Sequence, residues 1–513
     1  MMNFISLLDQ QARTRPEKLA LRADGLDWSY AALAEASRRA AAVLRAQGMR
    51  RGDKLGLLCF NTPGFVFALF GAWRLGAVVV PINHKLQAPE VSYILRHSGA
   101  RLCLVDGARA SLITAIQAEP QPLADMQWLS TASAAEGLDC FDELLAQAAP
   151  CGDEHGRPAP DALAEILYTS GTTGQPKGCL HSHANVFHAA LCAAAATSLT
   201  PTERTLIAMP IWHSSPLNNW FLGTLLMGGT AVLMREYAPR EFLETLAQER
   251  ISFTFGAPIA FLAPLSVVPD VASYDFSAMR LWAYGGGPLG ADMARKLAQA
   301  YRSDRFMQVY GMTESGPLGT VLYPEEAVAK AGSLGRCAIP GVELEVRRQD
   351  GGMCGPGEVG EICLRSAAMM QGYLDNPEAT AAVLDDQGWY RSGDLARVDE
   401  DGYLYIVDRL KDMIVTGGEN VYSKEVEDVL CTHPDVQDVA VIGRPHPEWG
   451  ETVVAVLTLK PGKLLDQEAL LQFMAPKLAR YKIPRFFEAR DTLPRTATGK
   501  LLKHMLRGST ASH

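Results

Sequence analysis

The sequence predicts an α/β protein: a large multi-subdomain N-terminal body of parallel α/β sheets with a small β-rich subdomain, then a smaller α+β C-terminal domain. Three observations carry this. Up to about residue 330, helical-period segments such as YAALAEASRRAAAVLRAQG alternate with short apolar runs such as KLGLLCF, AVVVPIN and RLCLVD, as strand–helix–strand units do. From about 332, short runs (VELEVRRQDGG, GEICLRS, GYLYIVDRL) are separated by Gly/Asp turns, the mark of antiparallel strands. The last hundred residues return to small α/β units.

In chain order, MMNFISLLDQQARTRPEKLAL carries acidic residues and lacks a basic leader before a long apolar core, so it reads as an amphipathic helix and not a signal peptide. The most apolar stretch, GFVFALFGAWRLGAVVVPIN, is broken by Arg74 and two internal glycines and fits a buried helix, a turn and a strand better than a membrane span. Residues 140–161 are polar and proline-bearing and read as a surface connection. ALAEILY reads as a buried strand, and CLHSHANVFHAALCAAAA continues at helical spacing. TLIAMPI, TAVLMRE, ISFTFGAP and LWAYGGG read as strands between helices. Near the C-terminus come a helix (SKEVEDVLCTHP), two strands (DVAVIGRP, ETVVAVLTL) and a helix (QEALLQFMAPKL). The simplest division is 1–408 and 409–513, joined near DRLKD.

At 513 residues, 48% hydrophobic and 20% charged, the chain has the composition of a folded protein with ample core, not of a disordered one. A net charge of −9 argues against broad nucleic-acid binding. Ten scattered cysteines with no C-x-x-C pair suggest neither a zinc module nor a disulfide framework. His181, His183 and His188 could meet a metal only if the segment bends, and they abut the glycine-rich loop, so helix-entry and packing roles are favoured. A soluble, cytoplasmic protein is expected, without integral membrane association.

The most informative stretch is YTSGTTGQPKG, residues 168–178. It could be a flexible linker, but it stands between a strand pattern and a helix pattern, where backbone N–H groups converge on an anion. Lys177 adds a mobile positive charge. After Gly174 comes Gln-Pro-Lys-Gly, which is not the Walker sequence, and no G-x-G-x-x-G follows a plausible first strand. A nucleotide-phosphate cradle of another kind is the reading.

Five further stretches accompany it: AYGGGPLG (283–290), QVYGMTESG (308–316), WYRSGDL (389–395), DRLKDMIVTGGENVYSKEVE (408–427) and LPRTATGK (493–500). Each alone is weak; a Tyr-Gly turn is usually just a turn and a late lysine a solubilising charge. Together and in this order they resemble the adenylate-forming superfamily of acyl-CoA synthetases, luciferases and peptide-synthetase adenylation domains, over the whole chain up to Lys500.

That resemblance implies an ATP-dependent acid–CoA ligase. A carboxylate is a poor electrophile, so ATP converts it to an acyl-adenylate before a thiol attacks. Thr169, Ser170, Gly171, Thr172, Thr173, Gly174 and Lys177 would hold the departing phosphates. Glu314 would help bind Mg2+, a hard cation suited to oxygen ligands, and Thr313 would touch the α-phosphate. Tyr310 and Gly311, with Gly285, Gly286, Gly287 and Pro288, would line the adenine slot. Asp394 and Arg409 would meet the ribose. Lys500 would bridge the substrate carboxylate and the α-phosphate, stabilising charge that develops in the transition state. The family turns its small domain between half-reactions, which makes the C-terminal domain mobile about Lys411. The turn would bring Gly417, Gly418, Glu419 and Asn420 to the thiol channel.

The acid pocket is expected around MPIWHSSPLNNW (209–220): Trp212, His213, Asn218, Asn219 and Trp220, with Gly287 and Gly316. His213 is the candidate for orienting the carboxylate or gating the thiol; a plain loop histidine is the competing reading. No acidic residue stands there to hold an α-ammonium, so an amino-acid substrate is disfavoured. A short or medium chain, an aryl acid or a polar-substituted acid would suit the mixture of tryptophans and amides. The partners implied are the acid, ATP and coenzyme A. A carrier protein's phosphopantetheine is the alternative acceptor, and a homodimer is the assembly to test. A nucleotide-binding scaffold that has lost catalysis would have forfeited Lys500 or Glu314, and both are present. Tyr-Ser-Lys-Glu after the Gly-Gly pair and the arginine in LPRTATGK are mild departures from the family pattern. The Lys/Arg-rich stretch 477–507 is either a solvated face or a surface for CoA phosphates or an acidic carrier protein.

Overall fold

A computed structural model describes residues 3–121, 123–152, 157–169, 175–287, 289–416, 419–495 and 501–507. The chain divides into two compact units, Met1–Leu344 with Leu364–Tyr390, and Glu345–Cys363 with Arg391–His513. The boundary expected at 408/409 falls within the second unit.

The first unit is built on two sheets. In the nine-stranded sheet, Arg204–Ile207, Thr230–Leu233, Phe253–Gly256, Leu281–Gly285 and Phe306–Tyr310 run parallel. Leu19–Ala23 joins one side and forms an antiparallel hairpin with Leu26–Ser29. In the eight-stranded sheet, Lys54–Leu58, Val78–Pro81, Ala100–Asp106, Gln127–Thr131 and Leu163–Thr169 are parallel, and Lys177–Ser182 turns back against Leu163–Thr169. Strands buried on both faces read as continuous apolar runs, which is why these segments were legible.

The apolar stretch near residue 70 resolves as expected. Pro63–Leu75 is a helix with Thr62 accepting from the Phe65 N–H, and Gly76 ends it at φ 70°, a left-handed cap that favours glycine. Val78–Pro81 follows as a fully buried strand. Arg74, the charge that argued against a membrane span, donates to Asp9 (2.6 Å) and to the Ser37 hydroxyl (2.8 Å) inside the protein. Among the described residues no helix is long and apolar enough to cross a membrane. Trp73, Phe70, Trp220 and Phe221 share one core with the N-terminal helix Phe4–Thr14. Truncating such an aromatic costs about 3–5 kcal/mol.

Two expectations need correction. The connection at 140–161 contains a helix, Phe141–Gln147, whose Phe141 is fully buried; the polar residues around it hid that one anchor. The glycine-rich loop also does not lead straight into a helix. Lys177–Ser182 is a strand, and the helix His183–Thr197 begins only at the capping box of Ser182 and Asn185. Hairpin pairing with Leu163–Thr169 overrides the helical spacing there.

A four-stranded sheet runs in the order Val342–Arg347, Val359–Ser366, Tyr390–Val398, Leu404–Arg409, its last two strands antiparallel. The second unit holds a five-stranded sheet centred on Val436–His446 and Gly450–Leu459, with the helices Ser423–Leu430 and Gln467–Met474 as expected.

Candidate active site

Thr169 and Lys177 are direct cross-strand partners at the end of the hairpin. Ser170, Gly171, Thr172, Thr173 and Gly174 lie between them, outside the described residues. Lys177 is half-buried, its Nζ 4.8 Å from the centre of the Tyr373 ring, within cation–π range. Tyr373 reaches this place because Gly372–Tyr373 pairs with the strand Lys177–Ser182, opposite Cys179.

Tyr310 ends the strand Phe306–Tyr310, and Thr313–Ser315 forms one 3-10 turn after it. Gly316 closes that turn at φ 73°, where a Cβ would come within 2.5 Å of the Ala368 carbonyl oxygen; only glycine fits. The turn points two side chains at neighbours. The hydroxyls of Thr313 and Ser214 share a hydrogen bond of 3.1 Å. Glu314 Oε1 accepts from the Tyr373 hydroxyl at 3.0 Å. Burial, and then the Glu314 charge, push the Tyr373 phenol far above its ordinary range, so it remains a donor. Tyr373 thus touches both the expected phosphate lysine and the expected metal carboxylate, and sequence reading missed it. Its partner Glu314 is 59 residues away, and no local pattern marks the pairing.

Trp212, His213, Ser214 and Thr313 line a cavity together with Tyr168, Leu167 and Asn83 among others. The His213 and Trp212 rings stack at 4.7 Å. The Trp212 indole N–H donates to His84 Nδ1 at 3.1 Å. Burial, reinforced by Lys85, Arg109 and Arg235, lowers His84 to about 4, so it stays a neutral acceptor. Ser215–Phe221 is a π-helix, a distortion frequent at functional sites. Its Asn218 donates to Glu165 Oε1 at 2.6 Å and its Asn219 donates to the Pro317 carbonyl at 3.1 Å. The carbonyl oxygens of both asparagines are buried without a protein partner. Burial raises Glu165 to about 7 against the opposing Asn218 bond. Trp220 packs into the core against Phe253 and Phe255, with ring centres 5.2 and 5.4 Å away.

Gly285 ends the strand Leu281–Gly285, where a Cβ would meet the Val309 carbonyl at 2.8 Å, and Gly286 has φ 83°. A Cβ on Gly287 would meet nothing within 4 Å, so no steric demand inside the chain requires a glycine there. Pro288 lies outside the described residues. Gly311 packs directly on the Pro317 carbonyl.

His181 and His183 are buried, and burial lowers both to about 4. Among the described residues no group of three or more His, Cys, Asp and Glu could hold a metal ion.

In the second unit, Asp394 and Arg409 are cross-strand partners, with Oδ1 3.4 Å from Nε. Lys411 follows, lowered by burial and then by Arg409. The Arg507 guanidinium donates to the Lys411 carbonyl at 3.1 Å and to Asp412 at 2.9 Å. Glu419 and Asn420 begin the strand Glu419–Val421, paired antiparallel with Ile414–Thr416. Gly417 and Gly418 are outside the described residues, as is Lys500. Arg495 and Leu501 form an antiparallel bridge on either side of 496–500.

Residues 8–374 match the AMP-binding enzyme family, and residues 425–500 match the AMP-binding enzyme C-terminal domain. The chain is 38% identical over 500 residues to a feruloyl-CoA synthase from an Amycolatopsis species, covering 97% of each chain. It is 36% identical to a long-chain-fatty-acid–CoA ligase from Mycobacterium tuberculosis, covering 99% of this chain and 98% of the other. Among solved structures it is similar to o-succinylbenzoate CoA synthetase from Bacillus subtilis in complex with its acyl-adenylate intermediate, with TM-score 0.86, 30% identity and 99% of each chain covered. The chain belongs to the AMP-binding enzyme family, within the adenylate-forming superfamily and among its acyl-CoA synthetases.

Proposed function

We propose that this protein joins a hydroxyl-bearing aryl carboxylic acid to coenzyme A through an acyl-adenylate. In the first step a carboxylate oxygen bonds to the α-phosphorus of ATP, the bond to the β-phosphate breaks, and pyrophosphate leaves. In the second, the CoA thiolate bonds to the acyl carbon, the bond to AMP breaks, and AMP leaves. Thr169 to Gly174 and Lys177 hold the departing phosphates in this reading, Tyr310 and the 285–288 turn the adenine, and Asp394 with Arg409 the ribose. Thr313, aligned by Ser214, meets the α-phosphate. Lys500 stabilises the charge that develops between carboxylate and phosphate. Mg2+, when bound, offsets the negative charge of the phosphates at Glu314. Residues 409–513 turn about Lys411 between the steps, bringing Gly417 to Asn420 to the thiol. We place the reaction in the cytoplasm, where ATP and CoA are available.

The observation that carries this reading is the meeting of Glu314 and Lys177 on one tyrosine, Tyr373. A metal-holding carboxylate and a phosphate-holding cation on one buried side chain suit a Mg·ATP site. The acid class rests on the π-helix. Two buried asparagine oxygens without a protein donor favour a ligand that brings a hydroxyl, because buried acceptors are rarely left unpaired. The stacked Trp212 and His213 suit a planar acid.

The experiment is turnover with Mg·ATP, CoA and a panel of ferulate, cinnamate, indoleacetate and palmitate, following AMP and pyrophosphate. AMP and acyl-CoA in equal amounts, fastest with ferulate, support the reading. Turnover with a phosphopantetheinylated carrier protein but not with CoA favours the carrier-loading alternative.

A further inference from the structure

We propose that Glu361 is a positioning residue for ribose recognition, presenting the Asp394 carboxylate to the nucleotide by fixing Arg391–Ser392–Gly393, the strand residues that precede it. This rests on the reading of Asp394 as the ribose ligand.

Glu361 lies in the strand Val359–Ser366, in the same sheet as the strand that carries Asp394. Its side chain is only 9% exposed, and a carboxylate so placed needs full compensation. It finds this in the strand residues just before Asp394. Oε1 accepts from the Gly393 backbone N–H at 3.0 Å, and Oε2 accepts from Arg391 Nε at 2.9 Å and Nη2 at 2.8 Å. One carboxylate therefore holds both ends of the tripeptide that precedes Asp394.

This segment needs holding. Gly393 has φ 70°, and its left-handed backbone sets the direction in which the next residue leaves. Ser392 Oγ accepts from the Asp394 N–H at 3.1 Å, and the Gly393 carbonyl accepts from Leu410 at 2.8 Å. Asp394 then sits opposite Arg409 with its side chain 16% exposed. Two vicinal hydroxyls are recognised by both oxygens of one carboxylate only if it is held in a single orientation, and a slip of one residue in a strand turns a side chain to the other face. Arg391, at 55% exposure, contributes little alone. Charge-assisted bonds to the buried Glu361 are the stronger restraint.

The test is calorimetric titration of ATP and 2′,3′-dideoxy-ATP into the full chain, its Glu361→Leu variant and its Glu361→Gln variant. The unsubstituted chain should bind ATP roughly 10–100-fold more tightly than the dideoxy nucleotide. Glu361→Leu should lose most of that factor while holding the dideoxy nucleotide within about twofold of the unsubstituted chain. Glu361→Gln keeps an acceptor for Gly393 and should lose a smaller part of the discrimination. Equal weakening for both nucleotides, or full discrimination in both variants, overturns the proposal. If Glu361→Leu does not fold, the same comparison is decided by Glu361→Gln. An unsubstituted chain that binds both nucleotides alike overturns it through the Asp394 reading, and one that binds neither does so through the proposed function.

Discussion

The Tyr373 hydroxyl donates to Glu314 at 3.0 Å. Removing only that hydroxyl, in Tyr373→Phe, keeps the ring beside Lys177 and frees Glu314 to turn. A hydrogen bond to a charged group is worth about 1.5–3 kcal/mol. The Mg2+ concentration for half-maximal pyrophosphate release should rise roughly 10-fold or more, with little change in acid preference. An unchanged Mg2+ requirement would show that Tyr373 does not position Glu314.

Glu165 should make stability depend on pH in a definite direction. Burial raises its folded-state pKa to about 7, above the unfolded value of about 4.3. Between these values the folded protein holds a proton that the unfolded chain has lost, so stability falls as pH rises through that window and levels off above it. Glu165→Gln, which cannot ionise, should match the unsubstituted protein near pH 4 and exceed it at pH 8 by about 3 kcal/mol. Urea unfolding at the two pH values measures the difference; a difference independent of pH would contradict a raised Glu165.

The proposed hinge separates the half-reactions. Lys411→Pro fixes φ at about −65° where rotation is expected. Pyrophosphate release should persist, and acyl-CoA formation should fall by orders of magnitude. Equal rates of the two steps in variant and parent would show that Lys411 is not the pivot.

The acid class is tested at the π-helix. Asn219→Leu removes one buried carbonyl oxygen and should cut kcat/KM for ferulate roughly 10-fold while leaving cinnamate within about threefold. A parallel loss on both acids would place Asn219 in the structural frame only.

Much of the fold is legible in the amino-acid sequence. The parallel strands are, because both faces of each are buried and the runs are continuous. The helix–turn–strand at 63–81 is, because Gly76 and Arg74 punctuate it. The hairpin after the glycine-rich loop is not: KGCLHS carries no strand pattern of its own and is fixed by pairing with Leu163–Thr169. Tyr373 and Glu361 escape a sequence reading for a related reason. Each acts on a partner about 30 or more residues away, through contacts that strand pairing creates. The phosphate loop and Lys500 are legible in the sequence as motifs, YTSGTTGQPKG and LPRTATGK.

Activation of the acid as an adenylate can be followed with oxygen-18 in both carboxylate oxygens of the acid. Attack of a labelled oxygen on the α-phosphorus, followed by thiolate attack at the acyl carbon, leaves one labelled oxygen in the AMP. Mass spectrometry of the products should find one oxygen-18 per AMP and none in pyrophosphate. Label in inorganic phosphate, with ADP as the nucleotide product, would mean activation through an acyl-phosphate and would exclude the adenylate.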